Sequence, residues 1–122
     1  MNFFVVGLGG CLGALARYSS ALLVARFWGQ AFPLATLLIN FVACLLAGVL
    51  MGVAEVRAVS PTLVLFLGMG FLGSYSTFST LAVESFSLLQ MRELGLLALN
   101  LGLSLLLGIL AVTLGRAAVV GF

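Results

Sequence analysis

Between Arg57 and Glu84 the chain carries no charged residue, yet the middle of that run is not simply oily. It reads Gly68-Met69-Gly70-Phe71-Leu72-Gly73-Ser74-Tyr75-Ser76-Thr77-Phe78-Ser79-Thr80, a passage of glycines, hydroxyls and aromatic rings. A helix crossing lipid has no need of such residues, and glycine with nearby hydroxyls invites a break in the hydrogen-bond ladder. Non-helical backbone at membrane depth survives only where protein or a water-filled cavity surrounds it. The passage therefore predicts a broken helix with the break near 73–80, and it is the first place to look for function.

Composition sets the surroundings of that break. Of 122 residues 64% are hydrophobic and 7% charged, more apolar surface than a soluble domain of this length could bury. The chain belongs in a bilayer. Lys and His are absent, which removes a basic nucleic-acid footprint and the commonest proton shuttle and metal ligand. Cys11 and Cys44 lie far apart in apolar segments and read as small buried hydrophobes. The amino terminus lacks the pattern of a cleaved leader and reads as a retained span.

A spanning helix takes about 20 mostly apolar residues, and four segments qualify, at about 2–25, 33–54, 61–91 and 94–115. Pro33 suits the first turn of the second helix. The connections are short, so the whole chain reads as one all-α transmembrane domain with a broken third helix. Gly9 with Gly13, and Gly48 with Gly52, are GxxxG pairs that mark close helix contacts, either within one subunit or at a dimer seam. Four thin helices enclose an aqueous path poorly, which predicts an oligomer.

The charges are balanced across the membrane. Arg26 and Arg92 follow the first and third spans on one side; Arg57 and Arg116 follow the second and fourth on the other. The positive-inside rule has little to act on. Insertion in both orientations, giving an antiparallel dual-topology dimer, is the expectation; the alternative is one orientation fixed by Arg17 or by a partner.

Few residues could carry chemistry. Asn40, after Thr36 in the second span, is either a bridge between helices or a neutral donor to an anion. Asn100, Ser104 and Gly108 recur at four-residue spacing on one face of the last span, as helix glue or as a polar path. Phe78 adjoins the break, and an aromatic edge is electropositive. The ends of a broken helix offer N–H groups to an anion and carbonyls to a cation. Arg17 and Glu84 are the deep charges, each needing water or a partner; Glu84 is expected to bond Thr80 or Ser85. No nucleophile–base set occurs, so catalysis is not expected.

The pattern Gly9-Gly10-x-x-Gly13-Ala14-x-x-Arg17-Tyr18, then Pro33-x-Ala35-Thr36-Leu37-x-x-Asn40, then Gly70-Phe71-x-Gly73-x-x-Ser76-Thr77-Phe78-Ser79-Thr80 resembles the CrcB/Fluc fluoride channels. The likeness covers nearly the whole chain. It implies a passive fluoride channel of the bacterial inner membrane, an antiparallel homodimer (or a pair with a sister subunit), and a structural sodium ion at the dimer centre. Carried onto this chain, the sodium ligands are the backbone carbonyls of Gly73 and Ser76. The fluoride pathway takes Asn40, Phe78, Ser79, Thr80 and Ser104, with Arg17 at a vestibule. Leu81 departs from the pattern where a second Phe is usual, and Asn100 where a Tyr would be sought. A proton-coupled exporter of hydrophobic cations and a non-conducting membrane assembly subunit are the competing readings.

Overall fold

The structure, a computed structural model, describes residues 1–29 and 32–122. Helix α1 spans Asn2–Phe27 and α2 spans Leu34–Val56. The third crossing, Pro61–Gln90, is two helices: α3 over 61–75 and α4 over Phe78–Gln90. Helix α5, Leu94–Val120, completes four helical crossings long and apolar enough to span a membrane. Ser60 and Pro61 begin the third crossing, the Ser60 hydroxyl accepting from the Leu63 amide at 3.2 Å. That is the preferred pairing of an N-cap side chain with proline at the first helical position. Pro33 stands one residue earlier than expected, as the residue preceding α2 rather than inside its first turn. Between α4 and α5 the chain reverses within three residues because Arg92 takes a positive φ of 56°, the left-handed residue that closes many helix ends.

Helices α1 and α3 run side by side in the same direction, and so do α2 and α5, whose contacts rise together from Cys44 with Gly108 to Gly52 with Arg116; these two pairs make the most extensive contacts. Glycine permits both. A methyl group on Gly13 would run into the Phe71 carbonyl, and one on Gly48 into the Val112 carbonyl. In lipid, where the apolar drive between helices is lost, such backbone approach is what holds helices together. The two GxxxG pairs are thus used inside one subunit. Residues Leu65–Leu72 of α3 are wound as a π-helix, a wider turn that often marks functional regions. It is here that α1 meets α3.

The core is small. Ile39, Ala43 and Tyr75 are buried together, with Ala16, Ala21 and Phe71 packed around them. The Tyr75 ring stacks on Phe71 with centroids 5.9 Å apart, and its hydroxyl lies 3.0 Å from that of Ser20. Most other large side chains, such as Phe3, Leu15 and Leu106, face outward, which suits a protein whose solvent is lipid. Cys11 corrects the expectation of two buried thiols: it is exposed, on a face of α1 that meets no other helix of the chain, whereas Cys44 is half-buried. Arg116 and Glu55 form a two-pronged ion pair of 2.8 and 2.7 Å where α2 ends beside α5. Exposed as it is, the pair adds little stability.

The packing makes a direct prediction. Gly48→Ala forces α2 and α5 apart and is expected to lower stability by about 1–3 kcal/mol, as overpacking does. Gly102→Ala, where an added methyl meets nothing within 4 Å, is expected to be neutral or to gain up to about 1 kcal/mol from helix propensity. Equilibrium unfolding in detergent compares them; equal effects would contradict the packing described.

Candidate functional site

The third crossing breaks at two residues. Ser76 (φ −78°, ψ 156°) and Thr77 (φ −150°, ψ 120°) are extended between helices, so Thr77 leaves the helical ladder. Its main-chain groups do not go unpaired. The Asn40 side chain accepts from the Thr77 amide at 2.8 Å and donates to the Thr77 carbonyl at 3.0 Å. One side-chain amide replaces both bonds that the helix gave up. Unpaired buried main-chain groups are otherwise expensive, and the expense is greater in a bilayer. This use as a bridge leaves one N–H of the Asn40 amide uncommitted to Thr77.

Each side of the break is finished by local bonds. On the α3 side, the amide and the hydroxyl of Ser76 both donate to the Leu72 carbonyl, at 3.0 and 2.9 Å. Arg17 donates through Nε to the Ser74 carbonyl at 3.1 Å, placing a cation where a helix C-terminus is negative. On the α4 side, the Thr77 hydroxyl caps the Thr80 amide at 3.2 Å and donates to the Thr80 hydroxyl at 3.1 Å. The Ser79 hydroxyl lies at 3.4 Å. The amides of Phe78 and Ser79 belong to the first turn, which a helix leaves without internal partners.

Asn40, Ser76, Thr77, Phe78, Leu81 and Ser104 border one groove of about 490 Å³. The sequence-predicted Asn40, Phe78 and Ser104 are therefore brought together. Phe78 is 80% exposed, its ring standing off the chain's own core. Ser79 is exposed and Thr80 half-buried; neither borders the groove, and Arg17 lies apart from it. Gly73 and Ser76 border an adjoining pocket of about 260 Å³. Among the described residues no side chain donates to either of their carbonyls. Cys44, read from sequence as packing only, borders both spaces.

For two polar ties the sequence did not give the partner. Glu84 accepts from the Thr36 hydroxyl at 2.7 Å, not from Thr80 or Ser85 as expected. The antiparallel course of α2 and α4 explains the difference. Thr36 and Asn40 lie one turn apart on a single face of α2, opposite Glu84 of α4 and Thr77, the residue that caps α4. The four-residue spacing of Thr36 and Asn40 was the available signal. Asn100, fully buried, donates to the Ser85 hydroxyl at 3.1 Å and so joins α5 to α4. Its carbonyl oxygen, the Ser104 hydroxyl and Glu84 Oε2 are buried without a partner among the described residues.

Comparison with known proteins gives a consistent result. The family described as "CrcB-like protein, Camphor Resistance (CrcB)" matches residues 4–116. A "Fluoride-specific ion channel FluC 1" of Bacillus anthracis is 41% identical over 114 residues, covering 93% of this chain and 83% of that protein. A "Fluoride-specific ion channel FluC" of Idiomarina loihiensis is 41% identical over 112 residues, covering 92% and 87%. One of Shewanella halifaxensis is 38% identical over 118 residues, covering 97% and 95%.

The amide bridge can be tested without reference to any transported ion. Asn40→Ala leaves two main-chain groups of Thr77 unpaired and is expected to destabilise the fold by about 1–3 kcal/mol for each group that finds no substitute partner. Asn40→Asp keeps the acceptor but faces the Thr77 carbonyl with a second acceptor, and should be at least as damaging. Unfolding in detergent that moves by less than about 0.5 kcal/mol in both variants would remove the bridge from the account.

Proposed function

The chain belongs to the CrcB family, and on that premise we propose that it is a passive, selective fluoride channel that lets accumulated fluoride leave a bacterial cell. It is a multi-pass protein of the inner membrane. The observation that carries the reading is the break at Ser76–Thr77, held open by Asn40, with the Phe78 ring beside it on a groove that no Lys, Arg or His borders.

Fluoride is small and strongly hydrated, so a path must replace its water with donors that bind neither too loosely nor too firmly. The groove supports such an exchange. The remaining Asn40 N–H, the Ser104 hydroxyl and the positive edge of Phe78 are all neutral donors. Ser79 and Thr80 extend the hydroxyl set at the start of α4, where the helix dipole favours an anion. Arg17 supplies positive charge near the entrance while its Nε stays on Ser74. A guanidinium in the narrows would trap the ion; here the fixed cation stands outside the groove.

The working unit in this reading is an antiparallel homodimer. Its support is the balance of arginines across the membrane and the exposure of Phe78 and Gly73 at the break. A ring that stands off its own chain acquires a second wall only from another molecule. The Gly73 and Ser76 carbonyls would hold the central sodium ion. They border one pocket, receive no side-chain donor among the described residues, and adjoin the negative end of α3, so the donor set fits a hard monovalent cation. Bound there, the ion would offset repulsion among crowded carbonyls from two subunits.

Fluoride efflux from liposomes holding this chain alone is the test. Efflux is expected to proceed down the fluoride gradient without a proton gradient and with chloride retained. Phe78→Ile, which removes the ring edge, is expected to slow it by about tenfold or more, equivalent to at least ~1.4 kcal/mol on the barrier. Undiminished efflux in that variant excludes Phe78 from the path, and no efflux from the chain alone would transfer the reading to a pair with a sister subunit.

A further inference from the structure

A break in a helix strands carbonyls as well as amides. In unbroken helix the carbonyls of Gly73 to Ser76 would accept from the amides of Thr77 to Thr80, four residues on. Here the Thr77 amide goes to Asn40 and the Thr80 amide to the Thr77 hydroxyl, while those of Phe78 and Ser79 open a new helix. Of the carbonyls so released, that of Ser74 alone gains a donor among the described residues, Nε of Arg17 at 3.1 Å. Helix α1 touches the next residue too. Ser20, one turn beyond Arg17 on the same face, sets its hydroxyl 3.0 Å from that of Tyr75. On that face again, a methyl group on Gly10 would stand 3.1 Å from Ser74 Oγ. Helix α1 thus holds Ser74 and Tyr75, the two residues between Gly73 and Ser76. The pocket that Gly73 and Ser76 border is lined by α2 at Ala43, Cys44 and Ala47, and no residue of α1 borders it.

We propose that Arg17 is a positioning residue for this cation pocket, acting through its Nε–H bond to Ser74 and not through its charge. The proposal rests on the reading of the Gly73 and Ser76 carbonyls as sodium ligands. Each peptide unit is planar, so pinning the oxygen between Ser74 and Tyr75 removes most of the freedom of the turn that joins Gly73 to Ser76. The two free carbonyls are then presented to one pocket, and the third is kept out of the set. The sign of the charge decides between the two roles. A guanidinium suits the negative end of α3, but it repels a cation in the neighbouring pocket. Whatever Arg17 contributes to holding that cation therefore comes from where it puts the main chain.

Melting of the sodium-free protein in detergent, in sodium chloride and in choline chloride at equal ionic strength, reads the pocket directly. A cation bound only by the folded state raises the melting temperature, so the parent is expected to melt higher in sodium. Arg17→Gln carries an amide nitrogen at the atom position of Nε, keeping the donor without the charge, and should keep more than half of that increment. Arg17→Met has the same reach with neither donor nor charge and should lose more than half. Arg17→Lys keeps the charge with its donor one atom further out; it should lose as much, and it replaces Arg17→Met if that variant does not fold. An arginine that merely braced the fold would lower melting equally in both salts. The proposal is overturned if Arg17→Gln loses more than half of the increment, or if Arg17→Met (or Arg17→Lys in its place) keeps more than half. A parent that melts alike in both salts would overturn the sodium reading itself, and this proposal with it.

Discussion

A main chain that leaves its helix inside a membrane must find two hydrogen bonds at once, and in this protein one side chain provides both. The Asn40 amide presents a donor and an acceptor side by side, the same pair that a neighbouring strand would present to Thr77. No other common side chain at this depth can do so; Gln would reach too far, and Ser or Thr offers a single oxygen. Without the bridge the natural course for residues 73–80 is to close back into helix, since every internal bond regained removes an unpaired group from an apolar medium. Everything at the site follows from keeping that closure from happening. Phe78 begins a new helix because Thr77 caps it, and Ser76 ends the previous one by folding its hydroxyl back onto Leu72.

Holding Asn40 opposite Thr77 requires the helices to stand at a fixed distance, and that distance is set elsewhere. Helix α2 is seated on α5 by glycine contacts around Gly48 and Gly115, and α3 is seated on α1 around Gly13 and Gly70. Neither contact tolerates a methyl group at its closest point. Polar contacts then fix each set: Arg17 to Ser74 and Ser20 to Tyr75 bind α1 to α3, while Thr36 to Glu84 and Asn100 to Ser85 bind α2 and α5 to α4. Interhelical side-chain bonds in membranes average only about 0.6 kcal/mol each. Their value here is therefore register more than stability: glycine packing holds the helices together, and the polar ties say which turn meets which.

Much of this was legible in residue order, and the illegible part has a common cause. Four crossings, a break in the third, and the glycine pairs follow from local properties, namely apolar length, backbone freedom and spacing. The limits of the break do not. The passage Gly68–Thr80 offers several glycines where a helix could fail, yet Gly70 and Gly73 remain helical and the chain opens at Ser76 and Thr77, neither of them glycine. Extended φ and ψ are open to any residue, so glycine was not needed there; it was needed where α1 approaches α3, beside the π-wound segment. The partner of Glu84 was missed for the same reason. Local proximity favoured Thr80 or Ser85, but the tertiary course of α2 brought Thr36 closer. Cys11 is apolar enough to be buried, and whether it is depends on which face of α1 meets a neighbour.

On the proposed reading, the departures from the family pattern shift the work of recognition rather than remove it. Leu81 borders the groove where a second aromatic residue is usual, so Phe78 is the single ring available to an ion there. A leucine wall has no positive edge, but it also offers nothing that competes for the ion, and it keeps the space dry. Dryness strengthens the remaining donors, because a neutral amide or hydroxyl acts more strongly where water does not screen it. Asn100 alters the other end of the track: where a tyrosine would project a hydroxyl, a short amide is drawn away to Ser85. The Ser104 hydroxyl, one turn along the same face, is buried and without a partner among the described residues, and in this reading it is the α5 donor that an entering anion would have to uncover. Selectivity in this chain would rest on fewer contacts than the pattern usually supplies, and hence more heavily on the amide that also keeps the break open.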